Sequence, residues 1–86
     1  MEIDEIILQV NDIFKDVFDD TSLVIGYETS AKDIDDWDSL THIELVVSVE
    51  KHFKIRFTSS EITSFKNVGE MCESIKIKLS KAQSNL

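Results

Sequence analysis

The sequence is poor in the residues that cross-link, kink or ligate: no proline, two glycines, one cysteine, one tryptophan and one arginine in 86 residues. A lone Cys72 cannot form an internal disulfide and excludes a multi-cysteine metal site within one chain. With so few glycines there is no Gly-x-Ser-x-Gly nucleophile elbow; the positions flanking Ser39 in that pattern are Trp37 and Thr41. Arg56, the only arginine, has no interleaved aromatic and arginine pattern around it, so a nucleic-acid surface is not expected. No apolar run approaches the roughly 20 residues that span a bilayer. The first residues, Met1-Glu2-Ile3-Asp4-Glu5, are acidic where a secretory signal is basic. A soluble, cytoplasmic protein is the expectation. At about 100–150 residues for a typical domain, this length allows one domain with a modest core and disfavours an enzyme with a deep cavity of its own.

What the chain has is charge, unevenly placed. The net charge is −8. Residues 1–50 hold 14 Asp and Glu against two Lys, a net of −12, while residues 51–86 hold three Glu against seven Lys and Arg, a net of +4. The acidic half disfavours phosphate backbones and anionic lipid and favours partners with basic docking surfaces.

Apolar residues recur at helical spacing in the first segment: Ile3, Ile6, Ile7, Val10, Ile13, Phe14, Val17 and Phe18. Acidic residues in its first turn suit the helix dipole, and the spacing predicts a helix over about 2–18. Residues 19–37 show no sustained period, although Leu23, Val24, Ile25 and Tyr27 are too apolar for a disordered linker. Ser30 with Asp33 forms a capping pattern for a brief turn near 31–36; a short strand through Val24 and Ile25 is the other option. A second helix is predicted over 38–53, capped by Asp38 or Ser39. Thr58 with Glu61 opens a short third helix over 58–65, and Asn67 with Glu70 a fourth over 67–81, leaving a frayed tail at 82–86. Three long helices and one short one, joined by a long first loop, make an all-α four-helix bundle.

On a helical wheel the second helix carries two apolar stripes. His42, Leu45, Val46, Val49 and Phe53 form the natural core face, while Ser39, Leu40, Ile43, Val47 and Glu50 form another, edged by Glu44 and Lys51. A helix wedged between two neighbours would bury both. The carboxylate within the second stripe and the serine at its start point instead to a docking surface, apolar inside a charged rim. Ser39 is not equipped as a nucleophile: His42 sits at the core edge and no third group orients it. As a hydroxyl presented to another enzyme it is well placed, because a phosphodiester there would meet the free N–H groups and positive dipole end of a helix.

Asp38-Ser39-Leu40, Glu44-Leu45, Glu50, Phe53, Ile55, Glu61 and Val68-Gly69-Glu70, at this spacing and over nearly the whole chain, resemble the acyl carrier protein family. The resemblance implies a four-helix bundle whose Ser39 receives 4′-phosphopantetheine from coenzyme A through a phosphopantetheinyl transferase. The thiol of that arm then holds an acyl or aminoacyl group as a thioester between biosynthetic enzymes. It also implies recognition of those enzymes through the second helix, at Asp38, Leu40, Ile43, Glu44, Val47 and Glu50, with Trp37 beside them. The carrier is expected to act as a monomer, without nucleic acid, membrane or metal. Trp37, His42 and Lys51 depart from the pattern of fatty-acid-synthase carriers, so a specialised pathway stands beside fatty-acid biosynthesis. The alternative is a helical adaptor that docks through the same stripe with Ser39 unmodified.

Other residues have plainer roles. Cys72 lies on the apolar face of the last helix and reads as inert core. His42 reads as a satisfied core-edge histidine and His52 as a solvated helix residue. Trp37 reads as a plug over the bundle or a partner contact. Asp33, Asp35 and Glu44 match three positions of a calcium loop, but Trp37 and Asp38 stand where it needs an oxygen ligand and a glycine. Phe14, Phe18, Phe53, Phe57 and Phe65 are core candidates whose rings leave little room for a long acyl chain between the helices.

Overall fold

A computed structural model describes residues 2–84, with side chains through Lys81. Four α-helices are present: α1 (Ile3–Val17), α2 (Ser39–Phe53), α3 (Ser59–Ser64) and α4 (Val68–Ser84), with one 3-10 turn at Ala31–Asp33. Their starts follow from side chains that satisfy first-turn N–H groups. Asp38 accepts from the Thr41 N–H, Thr58 from that of Glu61 and Asn67 from that of Glu70. Two helix ends turn through left-handed residues that are not glycine, Asp19 after α1 and Lys54 after α2. The Lys54 N–H returns to the Glu50 carbonyl, as a helix terminated in this way requires. The expected fourth helix stops at 81; α4 continues to Ser84, since the sequence offers neither glycine nor proline to end it. The rest of the expected tail, 85–86, lies outside the described residues.

α1 packs against both α4 and α2. Ile6, Val10 and Phe14 of α1, Leu45 and Val49 of α2, and Val68, Met71, Cys72 and Ile75 of α4 are fully buried together. None of the described helices is long and apolar enough to cross a membrane.

The first loop contains no strand among the described residues. Asn11 of α1 takes the place of a strand partner: its Oδ1 accepts the Ile25 N–H at 2.6 Å, and its Nδ2 donates to the Leu23 carbonyl at 3.2 Å. Buried backbone groups need partners, and a side-chain amide supplies one donor and one acceptor at once. The Ser30–Asp33 capping box holds, but Ile34 is extended, so the turn closes earlier than the expected 36. Further on, the loop carbonyls of Thr29 and Tyr27 accept the N–H groups of Val68 and Gly69 at 2.8 and 2.7 Å, providing for two first-turn donors of α4.

Gly69 is buried where this contact is made, and a Cβ there would run into the Tyr27 ring. Gly69→Ala is therefore expected to expel Tyr27 and weaken both backbone bonds, destabilising the fold by about 1–3 kcal/mol. Thermal unfolding followed by circular dichroism measures this; an unchanged midpoint would mean that the Tyr27 ring moves aside without loss.

Candidate functional site

The site is built where the long loop enters α2. Asp38 Oδ1 accepts the Thr41 N–H at 2.9 Å, while Thr41 Oγ1 accepts the Asp38 N–H at 2.8 Å. The Thr41 hydroxyl also donates to the Asp36 carbonyl at 2.8 Å, tying the loop to the first turn. The Thr41 N–H, and then its hydroxyl, hold the Asp38 carboxyl below the usual carboxylate range. Asp38 is thus the ionised cap of α2, and Ser39 is the first residue of the helix, exposed to solvent.

An open cleft of about 400 Å³ adjoins Ser39, bounded by Trp37, Asp38, His42, Ile62 and Phe65 among others. Its walls combine aromatic and aliphatic side chains with polar ones, which suits an elongated group carrying both amides and methylenes. The helix start supplies a favourable place for a phosphodiester on the serine oxygen. The residues present therefore fit 4′-phosphopantetheine.

His42 is engaged on both ring nitrogens. The Trp37 indole N–H donates to Nδ1 at 3.0 Å, and Nε2 lies 2.9 Å from the Ile62 carbonyl. An indole N–H only donates, so Nδ1 must accept, and the proton sits on Nε2, which donates to Ile62. The ring is satisfied at the core edge, as its wheel position implied. Neither nitrogen is left to take a proton from Ser39. Trp37 packs edge-on against Phe14 at 5.2 Å and lies nearly parallel to His42 at 5.9 Å. It is half-buried, a plug over the bundle that also lines the cleft.

The two stripes of α2 separate cleanly. Leu45, Val46, Val49 and Phe53 are buried, whereas Leu40, Ile43 and Val47 are 69%, 49% and 41% exposed. The second stripe is covered by no described helix. Glu44 is exposed at its edge. Glu50 is different: half-buried, it turns away from the stripe and accepts the Phe57 N–H through Oε2 at 2.8 Å. Its carboxylate pins the chain between α2 and α3, a role the wheel does not reveal.

Cys72 is buried, and burial, with the Glu73 charge second, pushes its thiol up to about 12. It stays protonated at neutral pH and is no acyl acceptor. His52 is exposed but not merely solvated: its Nε2 lies 2.7 Å from Gln9 Oε1 on α1. Lys78 of α4 pairs with Glu61 at 2.9 Å and stands over the Phe57 ring, fastening α3 to α4.

The family model for the phosphopantetheine attachment site matches residues 8–75. The solution structure of the holo acyl carrier protein from Geobacter metallireducens is similar to this chain at 44% identity, over 93% of this chain and 92% of that one, with a TM-score of 0.86. None of the curated proteins matches the sequence. The chain belongs to the acyl carrier protein family, and it serves as a carrier through a 4′-phosphopantetheine group.

Proposed function

We propose that Ser39 is the residue that bears the phosphopantetheine arm. The observation that carries this is the combination at one hydroxyl of exposure, a capped long helix and an adjoining cleft. Ser59 also starts a helix, but α3 has six residues and Ser59 lines no part of that cleft. When bound, the group supplies a thiol that holds an acyl or aminoacyl unit as a thioester. The chain's own residues present the hydroxyl, hold the anion at the start of α2 and offer walls along which the arm can lie. Incubation of apo protein with coenzyme A and a broad-specificity phosphopantetheinyl transferase tests this. The whole-protein mass should rise by one arm, and the rise should be lost in Ser39→Ala; a rise that survives the substitution puts the arm on another residue.

The recognition surface is the exposed stripe of Leu40, Ile43 and Val47, with Asp38 and Glu44 at its acidic end. It would meet the transferase and the acyl-loading and acyl-transfer enzymes through basic docking surfaces. Trp37 and Glu50 contribute through shape, Trp37 by forming the cleft wall and Glu50 by fixing the turn that follows α2. Glu44→Lys is expected to slow modification about tenfold without loss of helicity, since a rim charge acts mainly on encounter. Initial rates by mass spectrometry and a far-ultraviolet spectrum check both parts; a normal rate removes Glu44 from the surface. Glu50→Lys is a poorer probe, because it also orphans the Phe57 N–H. The net charge of −8 supports a soluble monomer in the cytoplasm, and Lys51, exposed on α2, supports a specialised partner beside a housekeeping one.

A further inference from the structure

The long first loop, α2 and α3 are joined across one seam by two hydrogen bonds in series. The Trp37 indole N–H donates to His42 Nδ1, and His42 Nε2–H donates to the Ile62 carbonyl, at 3.0 and 2.9 Å. Trp37, His42 and Ile62 all line the cleft beside Ser39. Behind them the space is filled. Phe14 is fully buried against the Trp37 edge, and Phe18 packs on both rings at 5.6 and 6.5 Å. A chain leaving Ser39 and turning inward between α2 and α3 would have to part His42 from Ile62. That movement strips Trp37 of its acceptor and leaves the Ile62 carbonyl without its donor, both in partly buried places where water replaces them poorly. The imidazole lies within 22° of the indole plane, an orientation in which its two nitrogens face Trp37 and Ile62 at once.

We infer that Trp37 and His42 form a bolt across the seam between α2 and α3, which keeps acyl cargo out of the bundle and fits this carrier to short acyl groups, whose exposure to water at the end of the arm costs little. Trp37 and His42 act on the cargo by positioning the seam, so they are specificity-determining residues and not catalytic ones. The inference rests on attachment at Ser39 and deepens that reading by naming the cargo class: short acyl groups, with the thioester held at the surface.

The test uses holo protein loaded with acetyl, octanoyl or palmitoyl groups, each load confirmed by mass before any further measurement. Failure to take even the acetyl load counts against attachment at Ser39 and is thereby distinguished from failure of the bolt. Each methylene that enters an apolar interior leaves water, so an inserted chain stabilises the fold in proportion to its length. The wild type is expected to melt within about 2 °C whichever group it carries. His42→Ala should gain a chain-length dependence, the palmitoyl form melting about 5 °C or more above the acetyl form. His42→Gln, whose amide can accept from Trp37 and donate to Ile62, should restore the flat response. If His42→Ala does not fold, Trp37→Phe replaces it; that change removes the indole donor, keeps a ring against Phe14, and should give the same chain-length dependence. A wild-type midpoint that climbs steadily from acetyl to palmitoyl overturns the inference, as does a flat response in every folded variant.

Discussion

Ser39→Ala is expected to abolish loading by coenzyme A and transferase completely, while the helical spectrum and melting temperature stay close to those of the wild type. The first half follows from chemistry: a phosphodiester needs the serine oxygen, and alanine has none. The second follows from the division of labour at the start of α2. Asp38, not Ser39, accepts the Thr41 N–H, and Thr41 returns the bond to the Asp38 N–H. The cap therefore survives removal of the neighbouring hydroxyl. Ser39 is exposed, and alanine is the better helix former, so the change in stability should stay within about 0.5 kcal/mol. Whole-protein mass and thermal melting check the two halves separately. A variant that gains the arm would move the attachment elsewhere; one that unfolds would make Ser39 a structural residue.

Phe14→Ala has the largest expected effect on stability. Phe14 is fully buried in the core of α1, α2 and α4, and its ring meets Phe18 at 5.6 Å and Trp37 at 5.2 Å. Truncation removes the transfer free energy of the ring and leaves a cavity that a small bundle closes only in part, a loss of about 3–5 kcal/mol. At roughly 0.05–0.15 kcal/mol per residue, a chain of this length has about 4–13 kcal/mol in all, so the loss is a large fraction of it. The melting temperature should fall by roughly 15–30 °C. Because the same ring supports Trp37, the tryptophan emission of the folded variant should shift to the red. A fall of only a few degrees would show that the core around Phe14 is looser than its burial indicates.

The helices were legible in the sequence because their signals are local. The apolar spacing of α1 and the caps Asp38, Thr58 and Asn67 each act within one or two turns, and a wheel places them without a tertiary structure. The two stripes of α2 were legible for the same reason. The first loop was not, because what fixes it comes from far along the chain. Asn11 serves Leu23 and Ile25 twelve and fourteen residues away, and Tyr27 meets Gly69 across 42 positions. A faint signal did exist: Asn11 falls on the same arc of α1 as Ile7, Phe14 and Phe18, where a polar residue needs partners. The bond from Glu50 to the Phe57 N–H was not legible, because a wheel shows direction from the helix axis, not the reach of a carboxylate to a later N–H. The site was half legible. Ser39, its cap and the exposed apolar stripe follow from spacing, whereas the bond from Trp37 through His42 to Ile62 depends on how α3 lies against α2.

The most direct measurement of the central claim is fragmentation of the modified protein in the mass spectrometer after loading from coenzyme A. The fragments should place a single phosphopantetheine arm on Ser39 within the Asp38-Ser39-Leu40 segment, with every other serine unmodified. An arm on Ser48, Ser59 or any other residue, or a protein that an active transferase leaves unmodified, would contradict it.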